Sequence, residues 1–188
     1  RDRKFASEGA IRFGLAIAYL RARNWTAAER ELLAARQMKF SSAMLERQLA
    51  EVKLIKGEAD VGLALYREAL LRYPLNMALL YGYGQALIAA RRFPEALKFA
   101  EAQVQTYAQD VRLHKMRAES FAGLGKRAQQ HLALSEVFVL QGRTQDAIEQ
   151  LNIAQKAGDA DFYTQSVIDS RQRELKRRLF DEQKERRN

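Results

Sequence analysis

The sequence has no cysteine in its 188 residues. That excludes thiolate metal sites, disulfide frameworks and thiol nucleophiles, and it says nothing about compartment. Only two prolines and ten glycines interrupt the chain, whose hydrophobic residues, 47% of the total, are rich in Ala and Leu. So few breakers argue for helix and against a sandwich or barrel. Histidine is almost missing: there are only His114 and His131, well separated in sequence. Neither has a second ligand at i+3 or i+4, so packing or surface roles are favoured over a metal site. No stretch of eighteen apolar residues occurs and the mean hydropathy is -0.42, too polar for a membrane-crossing helix. No Gly-rich phosphate loop, nucleophile triad or paired-carboxylate site stands out. The chain begins at an arginine without an apolar leader, and reads as a piece of a larger protein or a processed product.

The net charge of +9 invites a nucleic-acid or anionic-membrane reading. Its location weakens that reading. Residues 1–4 carry +2, residues 171–188 carry +4, and the whole stretch between them only +3. The tail RQRELKRRLFDEQKERR has acids interspersed and almost no aromatics, so a solvated helix is favoured over a phosphate-binding arm.

Small residues recur at one spacing. Ala16, Ala50, Gly84 and Ala118 are each 34 apart, as are Ala28, Gly62 and Ala96, and Ala35 and Ala69. Helices approach closely only where facing side chains are small, so such columns mark the contact points of repeated antiparallel helix pairs. Larger residues (Trp25, Phe93, Leu15, Leu49, Tyr83, Tyr19, Leu87, Phe121) are placed to fill the spaces between pairs. Turns are expected at Arg23-Asn24, Lys56-Gly57-Glu58, Arg91-Arg92 and Gly125-Lys126, and Pro74 follows a helix it cannot continue. After Gly125 the period breaks: Gly142 arrives at half the usual spacing, followed by Ala147, Leu151 and Ala154. One helix, roughly Ala128 to Leu140, then closes the fourth unit and opens the fifth. Thr144 is the expected N-cap of the next helix, and Asp159 or Asp161 that of the last. The last helix, about Phe162 to Glu185, keeps apolar positions at Phe162, Val167, Ile168, Leu175, Leu179 and Phe180, with a charged end expected to fray.

These residues resemble the tetratricopeptide repeat, with units at about 8–40, 43–76, 77–110, 111–141 and 128–157, and a terminal helix at about 162–185. Lys53 departs from the pattern where an aromatic is usual, and Gln103 where Ala is usual. The resemblance implies an all-α, right-handed solenoid of about nine or ten helices with a C-terminal capping helix, forming a single domain over 1–188. A closer resemblance lies in residues 131–179. Glu136, Gly142, Ala147 to Leu151, Ile168 to Arg171 and Glu174-Leu175 follow one another as in the C-terminal repeat region of periplasmic zinc metallopeptidases of the β-barrel-assembly-enhancing type. Residues 13–33 resemble the first repeat of the same region. That family cuts with His-Glu-x-x-His, which this sequence lacks. The expectation is a non-enzymatic chain with no cofactor of its own, zinc belonging to the catalytic domain of a parent protein. Periplasmic location follows from the resemblance alone, and a cytoplasmic one stays open.

The family binds protein or peptide partners on the concave face of the first helices. Carried over, those positions are Phe13, Ile17, Leu20 and Arg21; Met44, Arg47, Glu51, Leu54 and Ile55; Tyr81, Gln85 and Ile88; and Arg112, Lys115 and Glu119. The strip is apolar at its amino end and charged at its carboxyl end. Three covers stand open: a separate client or outer-membrane assembly partner, the parent's own protease domain, or closure of the superhelix on itself. An independent scaffold in a multiprotein complex is the alternative role. The two-carboxylate clamp of co-chaperone repeats is absent, since its positions hold Phe13, Ile17, Gln48, Ala78 and Gly82. For the charged ends, the expected outcome in a mobility-shift titration is no saturable complex with duplex DNA. A complex that forms at low salt and collapses at moderate salt would make the ends a phosphate-binding arm.

Overall fold

In a computed structural model the described residues are 7–185, so the basic residues 1–4 and the last three of the tail lie outside it. The described residues form ten α-helices and no strand: α1 (Glu8–Arg21), α2 (Trp25–Gln37), α3 (Ala43–Ile55), α4 (Ala59–Arg72), α5 (Met77–Ala89), α6 (Phe93–Thr106), α7 (Val111–Gly123), α8 (Arg127–Leu140), α9 (Thr144–Gln155) and α10 (Phe162–Glu185). Several starts are marked chemically. Side chains of Ser7, Asn24, Ser42, Asn76 and Asp110 each accept a hydrogen bond from a first-turn amide, which satisfies donors the helix itself leaves open.

The turns carry the period in hydrogen-bond form. The amides of Asn24, Glu58, Arg92 and Lys126 donate to the carbonyls of Tyr19, Lys53, Leu87 and Phe121, the six-to-one bond of a Schellman stop. The residue before each amide is left-handed: Arg23 (φ 54°), Gly57 (82°), Arg91 (58°) and Gly125 (71°). The next such stop, Arg143 to Phe138 after Gly142, follows at only half that spacing. Thus α8 begins after the turn that precedes a second helix and ends in the turn that follows a first helix. The stops on either side of it thus stand at those of a second helix and of a first helix at once.

Two expected caps are reassigned. Thr144 is the first residue of α9 rather than its cap, and its hydroxyl donates to Glu182 of α10 at 2.9 Å. Asp161 caps α10 through the Thr164 amide at 2.7 Å. Asp159 instead accepts from the Arg127 and Ala128 amides at 2.5 and 2.9 Å, capping α8 from far downstream in the sequence. The charged end does not fray before Glu185. Leu179 packs on the α9 cluster and Glu182 is held by Thr144 and by Arg178 at 2.8 Å. Phe162 and Phe180, expected on the apolar face, are exposed.

The chain divides into two compact units, Arg1–Ala86 and Leu87–Asn188. In the first, Ala16 of α1, Ala28, Leu32 and Ala35 of α2, and Leu45, Leu49 and Val52 of α3 form one buried cluster, with Trp25, Tyr19 and Phe40 against it. The small columns are required by contact. A Cβ on Gly62 would stand 2.8 Å from Leu54 Cγ and 2.9 Å from the Ala50 carbonyl oxygen. Lys53, at the position where the family has an aromatic, pairs instead with Glu29 at 2.5 Å and Glu58 at 2.7 Å, and Lys56 also pairs with Glu29. Burial pushes the Glu29 carboxyl up, but the hydrogen bonds from the two lysines together hold it below its ordinary value. Glu46, almost wholly buried, lies 3.2 Å from Arg36 and 3.1 Å from Arg72. Neither contact has hydrogen-bond geometry, so the pairing is electrostatic. One large residue fails its expected role: Leu15 is 45% exposed, because no described helix precedes α1.

In the second unit α8 is packed on two sides. Ala128 joins Ala147, Ile148, Leu151 and Ala154 of α9 and Ile168 and Leu175 of α10. Ala133 meets Ala118 and Phe121 of α7. The Phe93 ring of α6 occupies the space a Cβ on Gly123 would need. The close approach in the first unit is testable at Gly62. Gly62→Ala gains helix propensity yet collides with backbone, so urea unfolding should show a net loss of about 1–3 kcal/mol; unchanged or raised stability would mean the helices separate freely there.

Candidate partner-binding site

The residues carried over from the family fall into different environments. In the first unit Phe13 stacks on Phe40, with ring centroids 5.5 Å apart and planes tilted by 31°, and packs with Leu20 on the α1–α3 cluster. Ile17 is half-buried and Arg21 exposed. Leu54 lies over Gly62 of α4, so Phe13, Leu20 and Leu54 contribute to packing. Met44 and Ile55 are exposed, at 58% and 54%. Arg47 and Glu51 form an i,i+4 ion pair at 2.8 Å. Beneath them Tyr66 reaches from α4 toward α5, where a Cβ on Gly82 would be 2.6 Å from its hydroxyl. Burial pushes that phenol well above its ordinary value, and the charge of Glu51 adds to the shift against the opposing pull of Arg47. Tyr81 is half-buried and Gln85 exposed.

In the second unit Ile88 is half-buried, while Arg112, Lys115 and Glu119 are exposed on α7. The concavity of this unit lies elsewhere. A cavity of about 340 Å³ is lined by Arg117 and Phe121 of α7, Leu132, Ala133, Gln129 and Glu136 of α8, and Tyr163, Thr164 and Val167 of α10. That is the lower end of the size range of sites that take a small ligand or a side chain. Its α8 members Gln129, Leu132 and Glu136 stand half a repeat beyond Arg112, Lys115 and Glu119. The half-period shift at Gly142 therefore places these three α8 residues at the repeat positions that Arg112, Lys115 and Glu119 hold on α7. None of the cavity residues was singled out for binding from the sequence, although that shift was the signal that finds those on α8.

An ion pair fixes one wall of this cavity. Arg171 grips Glu136 with two parallel bonds of 2.8 Å, from Nε and one terminal nitrogen, and reaches Glu174 at 2.6 Å. Burial alone would lower the guanidinium pKa, but the two carboxylates hold it above its ordinary value. Glu136 thus serves as a fixed wall rather than a free base. Two further lining atoms, Arg117 Nε and Gln129 Oε1, are buried and make no hydrogen bond among the described residues. Leaving such groups unpaired costs about 1–3 kcal/mol each. One is a donor and the other an acceptor.

The sequence between residues 53 and 119 matches the tetratricopeptide repeat family. The fold is the tetratricopeptide-repeat fold. MamA of Desulfovibrio magneticus RS-1, from its residue 41 onward, superposes with a TM-score of 0.66 at 17% identity, over 92% of this chain and 97% of that one. A thermophilic tetratricopeptide protein of Thermus thermophilus gives 0.53 at 17% identity, over 86% and 97%. YrrB, described as a TPR protein with an unusual peptide-binding site, gives 0.62 at 15% identity, over 76% and 74%. At such identities the likeness is one of fold alone. No curated protein gives a significant sequence match. The helix-pair arrangement here is that of a tetratricopeptide fold. Around the cavity, a double-mutant cycle of Glu136→Gln and Arg171→Gln should give a coupling of about 1 kcal/mol in thermal or urea unfolding, reduced in high salt. Additive losses would mean that the fork contributes nothing to fixing α10 on α8.

Proposed function

We propose that the chain binds a segment of a partner polypeptide in the cavity of the second unit, with one side chain or peptide group entering between α8 and α10. The observation that carries this reading is the cavity itself, whose lining residues Arg117 and Gln129 each hold a buried polar atom without a hydrogen-bond partner among the described residues. An exposed Tyr163 stands at the same cavity, 77% accessible, the kind of aromatic that anchors interfaces. Affinity would come from burying Leu132 and Val167 against the partner, and orientation from the polar groups of the lining. The peptide-binding site described for YrrB lends the reading support by analogy of fold.

The larger setting we infer is the repeat region of a periplasmic zinc metallopeptidase concerned with outer-membrane protein assembly. The partner would then be a client, an assembly component or the adjoining protease domain, and zinc would reside in that domain. What favours this setting is internal to the resemblance. Glu136 and Arg171 come from separate stretches of it and meet in one fork. A secretory leader and His-Glu-x-x-His in adjoining sequence would be required, and their absence leaves an independent scaffold.

The binding site itself is tested by photocrosslinking from positions 163, 167 and 115 in cell-envelope extract, with the captured protein identified by mass spectrometry and then titrated. The expected outcome is capture from 163 and 167 but not 115, with Tyr163→Ala weakening affinity roughly tenfold or more and Lys115→Ala by less than about twofold. Equal capture from all three positions would move the site off the cavity.

A further inference from the structure

The hydrogen-bonding groups around the cavity of the second unit differ in what each still has to offer. Glu136 is the one carboxylate among the lining residues, and both of its oxygens accept from Arg171. The Thr164 hydroxyl is turned to Asp161, whose carboxyl it helps to hold below its ordinary value. Arg117 and Gln129 remain. Neither makes an ion pair or a side-chain hydrogen bond with any described residue. In each, one atom is buried, Arg117 Nε and Gln129 Oε1, while the terminal guanidinium nitrogens and the amide nitrogen stay open. The open groups of these two residues are therefore donors, and one of them is a cation. Beside them Leu132 and Val167 are half-buried.

We propose that this cavity accepts a carboxylate carried next to an aliphatic side chain. The carboxylate takes hydrogen bonds from Arg117 and Gln129, and the side chain covers Leu132 and Val167. This rests on the reading that the cavity takes a segment of a partner polypeptide, and it adds the chemistry that segment brings. A carboxylate matches the planar fork of a guanidinium, and such charge-assisted bonds are about twice as strong as neutral ones. A neutral amide accepts the same bonds but leaves the cation uncompensated. A basic segment meets Arg117 and finds the acceptors of Glu136 already taken. The site is separate from the two-carboxylate clamp of co-chaperone repeats, whose positions carry no cation in this chain. A polypeptide offers the group in two places: at a C-terminus ending in an aliphatic residue, or on an acidic side chain beside one.

Three small ligands separate these sources. N-acetyl-leucine has a terminal carboxylate, N-acetyl-glutamyl-leucinamide a side-chain carboxylate, and N-acetyl-leucinamide none. Each is titrated into the isotope-labelled chain and followed by NMR through the backbone amides of α7, α8 and α10 and the Arg117 Nε–H signal, assigned by its loss in Arg117→Lys. The expected result is saturable binding of at least one acid, tighter than the neutral amide by about fivefold or more. That preference disappears in Arg117→Gln and in Gln129→Glu, with circular dichroism checking that each variant keeps its helix content. The tighter acid identifies the source. Equal binding of all three overturns the carboxylate and leaves the cavity as a binding site. A preference that survives both substitutions overturns it as well, by placing the anion elsewhere. No response to any of the three overturns it alone if positions 163 and 167 still capture a partner, and together with the cavity reading if they do not.

Discussion

Two helices can pack at close range only if neither places a side chain of any size at the crossing point. In this chain that constraint recurs at each helix pair, and the rest of the architecture adjusts to it. Ala16, Ala28, Ala35, Ala50, Ala69, Ala96 and Ala100 are wholly excluded from solvent. At Gly62 even a methyl group would collide with the carbonyl of Ala50. Once the backbones are that close, the leucines and aromatics on either side have fixed gaps to fill. Close packing of this kind makes each helix depend on its immediate neighbours and on little else.

The same geometry explains how the chain tolerates charge where the family has aromatic residues. On α3 Lys53 is half-buried and Glu46 buried, and each is met by oppositely charged groups from α2 or α4: Glu29 for the lysine, Arg36 and Arg72 for the glutamate. Buried ion pairs of this sort add little net stability compared with an apolar pair, since the desolvation of both ions offsets their attraction. They do penalise any register that leaves one charge without its partner. In a repeat whose helices are similar in length and composition, that penalty discriminates against misaligned pairing.

The cavity of the second unit arises at the one place where the repeat loses its period. A strict repeat would have given the second unit another first helix followed by another second helix. The early stop at Gly142 makes α8 do both jobs, and a helix buried on two sides has its remaining face turned toward α10. The cavity is the space left between α7, α8 and α10, and two of its lining residues, Arg117 and Gln129, each keep a buried polar atom without a hydrogen-bond partner among the described residues. The fork between Glu136 and Arg171 sets the position of α10 and hence the width of that space.

Much of this was legible in the residues. The small-residue columns fixed the helix pairs, the left-handed stops at Arg23, Gly57, Arg91 and Gly125 fell at the expected turns, and the terminal helix ran over the expected span, because each of these is decided by neighbours in sequence. What the residues could not decide was which of two faces of an apolar helix meets another helix. Phe13 and Leu20 have the composition of a binding surface and are used for packing; Leu15 has the composition of a core residue and faces solvent. The cap at Asp159 and the bond from Thr144 to Glu182 show the same limit, since their partners lie on helices remote in sequence. Composition and period determine that a helix forms and how it is paired, whereas the face it leaves open depends on what the rest of the chain has already covered.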